Sequence, residues 1–170
     1  MTLQDEIRLL LDAPTMNAND VRTLLRRDHD EALQLARDMV ESESGDERRT
    51  LFRRLKPALY AHARAEEREV YDLLLRGRAG DMREFAHEGC VEHGVLDELL
   101  ERMYRSRKTE SEEWKAHAKV LLELLEHHVE EEHTQMFDAL AERFSDDERE
   151  ALGRRFLAAK ARLMMKARAA

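Results

Sequence analysis

The sequence predicts an all-α protein, an up-down-up-down antiparallel four-helix bundle with short flanking N- and C-terminal helices. Three observations carry this. Apolar residues recur every three or four positions through four long stretches, the spacing of an amphipathic helix. Only 6 Gly and 2 Pro occur in 170 residues, too little turn chemistry for an all-β fold. Hydrophobic residues at 42% and charged ones at 39% suit helices that are half buried and half solvated. A chain of this length can bury a real core as one domain over residues 1–170.

The elements follow in order. Leu3, Ile7, Leu10 and Leu11 repeat at helical spacing until Pro14, predicting a short leading helix. Asn19 or Asp20 caps the next helix, whose stripe is Val21, Leu24, Leu25, Ala32, Leu35, Ala36 and Met39. After the turn Ser44-Gly45-Asp46, a second stripe runs through Leu51, Leu55, Ala58, Leu59, Val70, Leu73 and Leu74, with Pro57 expected to kink it. Gly77 to Gly80 closes it. The third stripe is Met82, Ala86, Gly89, Leu96, Leu100 and Met103, and a polar break spans Ser106 to Ser111. The fourth holds Trp114, Leu121, Leu124, Leu125, Met136 and Leu140. Ser145 and Glu148 make a capping box for a basic last helix over 145–168, through Leu152, Phe156, Ala159 and Leu163. The core bundle is expected over 20–142.

Charge and composition remove several function classes. The net charge of −8, from 37 acidic against 29 basic residues, argues against nucleic acid as a partner. Cys90 is the one cysteine and has no internal partner, which fits a reducing, cytoplasmic setting. No apolar run reaches membrane-spanning length, and Met1 to Asp12 lacks the basic-then-apolar order of a signal peptide. A soluble cytoplasmic protein is expected, whose flanking helices offer surfaces for a homodimer.

Each of the four stripes carries one histidine in its apolar phase. His29 lies four after Leu25, His62 three after Leu59, His93 three before Leu96, and His128 four after Leu124. All four therefore point into the bundle. They are 33 (29 to 62), 31 (62 to 93) and 35 (93 to 128) residues apart, so in an up-and-down bundle they meet at one level. Carboxylates join them: Glu66 is four after His62, Asp97 four after His93, and Glu132 four after His128, each pair about one turn apart on one face. His62 is followed nine residues later by Tyr71 and His128 nine later by Phe137, which selects His128 and Glu132 over His127 and Glu131.

Ionised carboxylates buried together cost several kcal/mol each unless cations neutralise them. Mixed imidazole and carboxylate donors suit iron, manganese or zinc and not calcium or magnesium. If Glu66 and Glu132 both bridge, they, the four histidines, a bridging oxygen and Asp97 fill all but about one octahedral position around two metals. The open position suits a small molecule, and a histidine-rich site leans towards O2 and peroxide rather than C–H bonds. Asp97 either ligates a metal or accepts a hydrogen bond from a ligating histidine. The bland readings fall elsewhere: His117 as a core or tunnel residue, His87, His127 and His133 as peripheral, Cys90 as a small buried thiol, and Glu67, Glu130 and Glu131 on a solvated face.

These residues resemble the hemerythrin-like, or HHE cation-binding, family of four-helix-bundle di-iron proteins. The resemblance rests on Asp28-His29, on H-x-x-x-E at His62 and Glu66, on Glu92-His93, and on H-x-x-x-E at His128 and Glu132 followed by Phe137. It covers residues 20 to 142, and the closing helix with Lys160 and Arg162 looks like tails appended to bacterial members. It implies two iron ions in an oxo- or hydroxo-bridged centre, serving to bind or sense O2, nitric oxide or peroxide. Oxygen-carrying members have a second histidine on the third helix where this chain has Asp97, which points away from reversible carriage. The competing functions are a peroxide-degrading, catalase-like enzyme on the same site, an iron-handling protein, and a metal-free interaction bundle.

Overall fold

The computed structural model describes residues 17–77 and 80–169, and the leading helix expected over Leu3 to Leu11 lies outside them. The described secondary structure is entirely helical. It comprises α1 (Val21–Glu41), α2 (Gly45–Glu66), α3 (Asp72–Arg76), α4 (Gly80–Ser106), α5 (Glu112–Glu131), α6 (Phe137–Arg143) and α7 (Asp146–Ala169). Short π-helical turns, Glu67–Tyr71 and Glu132–Met136, join α2 to α3 and α5 to α6 without a break, so each pair forms one rod. α2 also runs unbroken through Pro57.

Local chemistry sets the helix starts. Ser44 caps α2 by accepting from the Glu47 amide, and Ser111 caps α5 by accepting from that of Trp114. The capping box expected at Ser145 and Glu148 is present, with Ser145 N donating to Glu148 Oε2 at 2.8 Å and Glu148 N to Ser145 Oγ at 3.4 Å.

The apolar residues divide into two clusters. One holds Val21, Leu24 and Leu25 with Val70, Leu74, Phe85, Met136, Leu140 and, from α7, Leu152 and Phe156. The other holds Leu35 and Met39 with Phe52, Leu55, Leu100, Met103, Trp114 and Leu121. On every rod the inward histidine falls close to where the residues of one cluster give way to those of the other. The two apolar layers thus enclose a buried polar one.

The C-terminal helix corrects one expectation. It lies within one residue of the expected bounds but is not short: α7 has 24 residues against 21 in α1, and packs on α1 and α2. Its periodic residues Leu152, Phe156 and Ala159 are buried, and Gly153 passes so close to the Asn19 carbonyl that any Cβ there would collide with it. A buried ion pair fixes its start. Asp20 caps α1 through the Arg22 amide (2.9 Å) and accepts from Arg149 Nε at 2.8 Å. Burial pushes the Asp20 carboxyl up, but hydrogen bonds from Arg22 and Arg149 outweigh this and hold it below its usual range.

Asp20→Ala is expected to destabilise the protein by roughly 2–3 kcal/mol, because it removes a cap and leaves the Arg149 guanidinium short of a partner. The same pair has a pH signature. A depressed folded pKa stabilises above the unfolded carboxylate value of about 4 and is lost as pH falls through the folded one. Thermal melts of wild type and Asp20→Asn are expected to converge as pH drops through that window, and parallel curves would contradict the pairing.

Candidate metal centre

Four helices deliver the site, each through one inward histidine. The Nε2 atoms face one another in pairs: His29 and His62 at 3.0 Å, His93 and His128 at 3.1 Å. The carboxylates of Glu66 and Glu132 lie between the pairs. Glu66 Oε2 is 3.4 Å from His62 Nε2 and 3.7 Å from His93 Nε2. Glu132 reaches His29 Nε2 with Oε2 at 3.1 Å and His128 Nε2 with Oε1 at 3.6 Å. Each carboxylate therefore spans both histidine pairs. Donor atoms of His29, His62, Glu66 and Glu132 form one compact set, and those of Glu66, His93 and His128 a second, with Glu66 common to both.

The outward Nδ1 atoms are all engaged. His62 donates to Asp28 (3.2 Å), His93 to Glu67 (3.0 Å) and His128 to Glu92 (2.7 Å). His29 Nδ1 instead meets His133 Nε2 at 3.0 Å, and Arg26 donates to the other nitrogen of His133 at 3.2 Å. Carboxylate partners place the proton on Nδ1 and turn the Nε2 lone pair inward, the arrangement that prepares a histidine for a metal.

Two aromatic side chains roof the layer. The Tyr71 ring stacks on His93 (5.5 Å, 9°) and its hydroxyl donates to Glu132, while Phe137 stacks on His29 (6.4 Å, 14°). Each stands five residues after a site glutamate, which in a regular helix turns it about 140° away from that glutamate. The π-helical turns supply one extra residue and bring it back to about 40°. Gly89 makes room for Tyr71, since any Cβ there would run into the ring.

The electrostatics fit a cation. Glu66 is 0% exposed, and neither of its oxygens has a hydrogen-bond partner; Glu132 Oε2 has none either. Burial, followed by repulsion from Glu132, pushes the Glu66 carboxyl well above its usual range. Burial acts on Glu132 in the same direction, but the His128 charge overrides it and holds Glu132 well below. Burial lowers His29 and His93. It lowers His128 too, yet Glu132, Glu92 and Glu66 outweigh it and raise that imidazole to about 9. Metal ions held by the inward lone pairs would offset the cost of burying these carboxylates and compete with the protons that Glu66 and His128 otherwise attract.

Of the seven residues expected at the site, the structure brings His29, His62, Glu66, His93, His128 and Glu132 together. Asp97 lines the same cavity but is outside both donor sets: its carboxylate pairs with Arg64 at 2.5 Å, and Arg64 also donates to Glu67 at 2.6 Å. Asp97→Asn is accordingly expected to leave metal content, read by mass spectrometry, unchanged, and its loss would return Asp97 to the ligand set. His117 is no core residue, being partly exposed and bonded to the Glu113 carbonyl of its own helix at 2.8 Å. His133 and Glu67, expected at the periphery, contact the site histidines directly. A signal for these outer partners was present. The acid before an inward histidine (Asp28, Glu92) serves the histidine of the next helix, and the residue after a site glutamate (Glu67, His133) serves another.

Fold and site together define an all-helical protein with a buried histidine–carboxylate centre suited to metal ions. The sequence matches the hemerythrin HHE cation-binding domain over residues 20–140, and the chain belongs to this family. No curated protein and no solved structure matches it.

Proposed function

We propose that this is a non-haem di-iron protein that binds or senses O2, nitric oxide or peroxide. The observation that carries the proposal is the placement of Glu66 and Glu132 between two histidine pairs, six inward side chains that offer each of two metals its own imidazoles and shared carboxylates. The bundle runs up-down-up-down in this reading. In support, α1 and α4 pass from the first apolar cluster to the second, while the α2–α3 and α5–α6 rods pass from the second back to the first.

Iron held by these six residues would supply a redox-active Lewis acid for small oxygen or nitrogen species. The chain's own residues do the rest. Asp28, Glu67, Glu92 and His133 hold the four imidazoles in orientation, and Tyr71 offers its hydroxyl proton to Glu132. A cavity of about 30 Å³ abuts the histidines, walled by Ala32, Leu35, Leu59, Leu96, Leu100 and Leu125 and also lined by Asp28, Glu31, Asp97 and Lys160. That space takes about two water-sized molecules, which suits ligands of a few atoms. A reducing, cytoplasmic setting goes with this reading and is supported by the free thiol of Cys90. No described helix is long and apolar enough to cross a membrane.

Metal content tests the proposal. Protein produced with ample iron is expected to carry about two irons per chain, and His62→Ala to lose them. One zinc, or no metal in either protein, would sink it. Turnover of hydrogen peroxide by the loaded protein, abolished in His62→Ala, would make the protein a peroxide-degrading enzyme rather than a sensor.

A further inference from the structure

α7 reaches the metal centre although it lies beyond the residues that match the family. Phe156, fully buried, sets its ring edge-on to His62 at 5.7 Å and 80°. Lys160 Nζ donates to Asp28 Oδ2 at 2.5 Å, the same oxygen that accepts from His62 Nδ1 at 3.2 Å. With the Lys160 side chain 22% exposed and that of Asp28 5%, the ammonium is delivered to one carboxylate oxygen with little water to screen it.

The surroundings of the two histidine pairs then differ in charge. In the hydrogen-bond chains that leave His29 and His62 stand two cations, Arg26 and Lys160, and one anion, Asp28. Beside His93 and His128 stand one cation, Arg64, which also pairs with Asp97, and two outer anions that accept from the imidazoles, Glu67 and Glu92. Among the described residues no Lys or Arg pairs with Glu92. A carboxylate on Nδ1–H gives an imidazole more donor strength towards a metal on Nε2, and a cation on that carboxylate takes some of it back.

We propose that Lys160 is a positioning residue of the metal centre, which through Asp28 withdraws charge from His62 and makes the metal position between His29 and His62 the more electron-poor of the two. This rests on the di-iron reading above. It makes α7 an integral part of the centre, where the helix adds one positive charge to one side.

Two substitutions in the full chain separate charge from packing. Lys160→Met keeps the stem and removes the charge, whereas Lys160→Arg keeps the charge. In iron-loaded protein, Lys160→Met is expected to raise the oxidised-to-reduced ratio at fixed potential roughly tenfold. That corresponds to a midpoint lower by about 59 mV for one electron. Lys160→Arg is expected to stay close to wild type. In an Asp28→Asn background Lys160→Met is expected to add nothing, since the charge then has no carboxylate to act through.

A second readout needs no iron. In metal-free, ¹⁵N-labelled protein the His62 Nδ1–H resonance is expected to move in Lys160→Met and to return in Lys160→Arg, with that of His93 unmoved. An unchanged potential and an unchanged His62 resonance in a natively helical Lys160→Met would overturn the proposal. If that variant loses helicity, Lys160→Gln carries the same two expectations. A wild-type chain without two irons would end the di-iron reading, and the His62 resonance would still decide whether Lys160 acts on that histidine.

Discussion

Replacing Glu66 by glutamine is expected to empty the metal centre and to leave the metal-free protein at least as stable as before. The two halves have one cause. Glu66 is completely buried, spans both histidine pairs and has no hydrogen-bond donor on either oxygen. A carboxylate so placed costs several kcal/mol unless a cation sits on it, so it destabilises the metal-free fold and strengthens metal binding. Burial and repulsion from Glu132 push its carboxyl well up, which favours the neutral form that glutamine copies. Metal per chain is expected to fall by about tenfold or more, from loss of a shared ligand. The metal-free melting temperature should hold or rise by a few degrees, roughly 1–2 kcal/mol of relieved desolvation. A metal-free Glu66→Gln that melts several degrees below wild type would show that Glu66 is held by protein partners, against the geometry described above.

Chelating the metal from wild-type protein is expected to lower its melting temperature by about 8–16 °C. The estimate combines about 4 kcal/mol for a ligand present at a thousand times its dissociation constant with about 2–4 °C per kcal/mol for a chain of this size. The structural reason is that the polar layer joins all four long rods, each through one histidine, at the level where the two apolar clusters part. Removing the metal leaves paired Nε2 atoms at 3.0 Å and 3.1 Å and two carboxylates short of donors, all in the middle of the core. An unchanged melting temperature after chelation would leave the protein as an interaction bundle, with the histidine layer serving packing alone.

Much of this was legible in the chain because helical periodicity is local. Whether His29, His62, His93 and His128 face inward depends on neighbours three, four and seven residues away, and those are written beside them. The near-equal spacing between the four histidines placed them at one level for the same reason, once short turns were assumed. Even the matched nine-residue intervals to Tyr71 and Phe137 were visible, though nine residues of regular helix end on the opposite face. The π-helical turns that resolve this conflict are insertions into a hydrogen-bond ladder, and an apolar stripe does not register them.

What periodicity left open was who meets whom across helices. Asp97 has the right phase to face the site, but Arg64 on α2 claims it at 2.5 Å, and no spacing within α4 could show that neighbour. Asp28 precedes His29 in sequence yet serves His62, 34 residues on, and also Lys160 at the far end of the chain. In sequence Glu67 reads as solvated and His133 as peripheral, whereas each is turned towards the histidine of a packed neighbour. The stripe of α7 announced a helix, and its docking against α1 and α2 depends on shape at Gly153 and on the Asp20–Arg149 pair. Facing direction is a property of one helix and its own period. Partnership is settled by distances between helices, which exist once the bundle has closed.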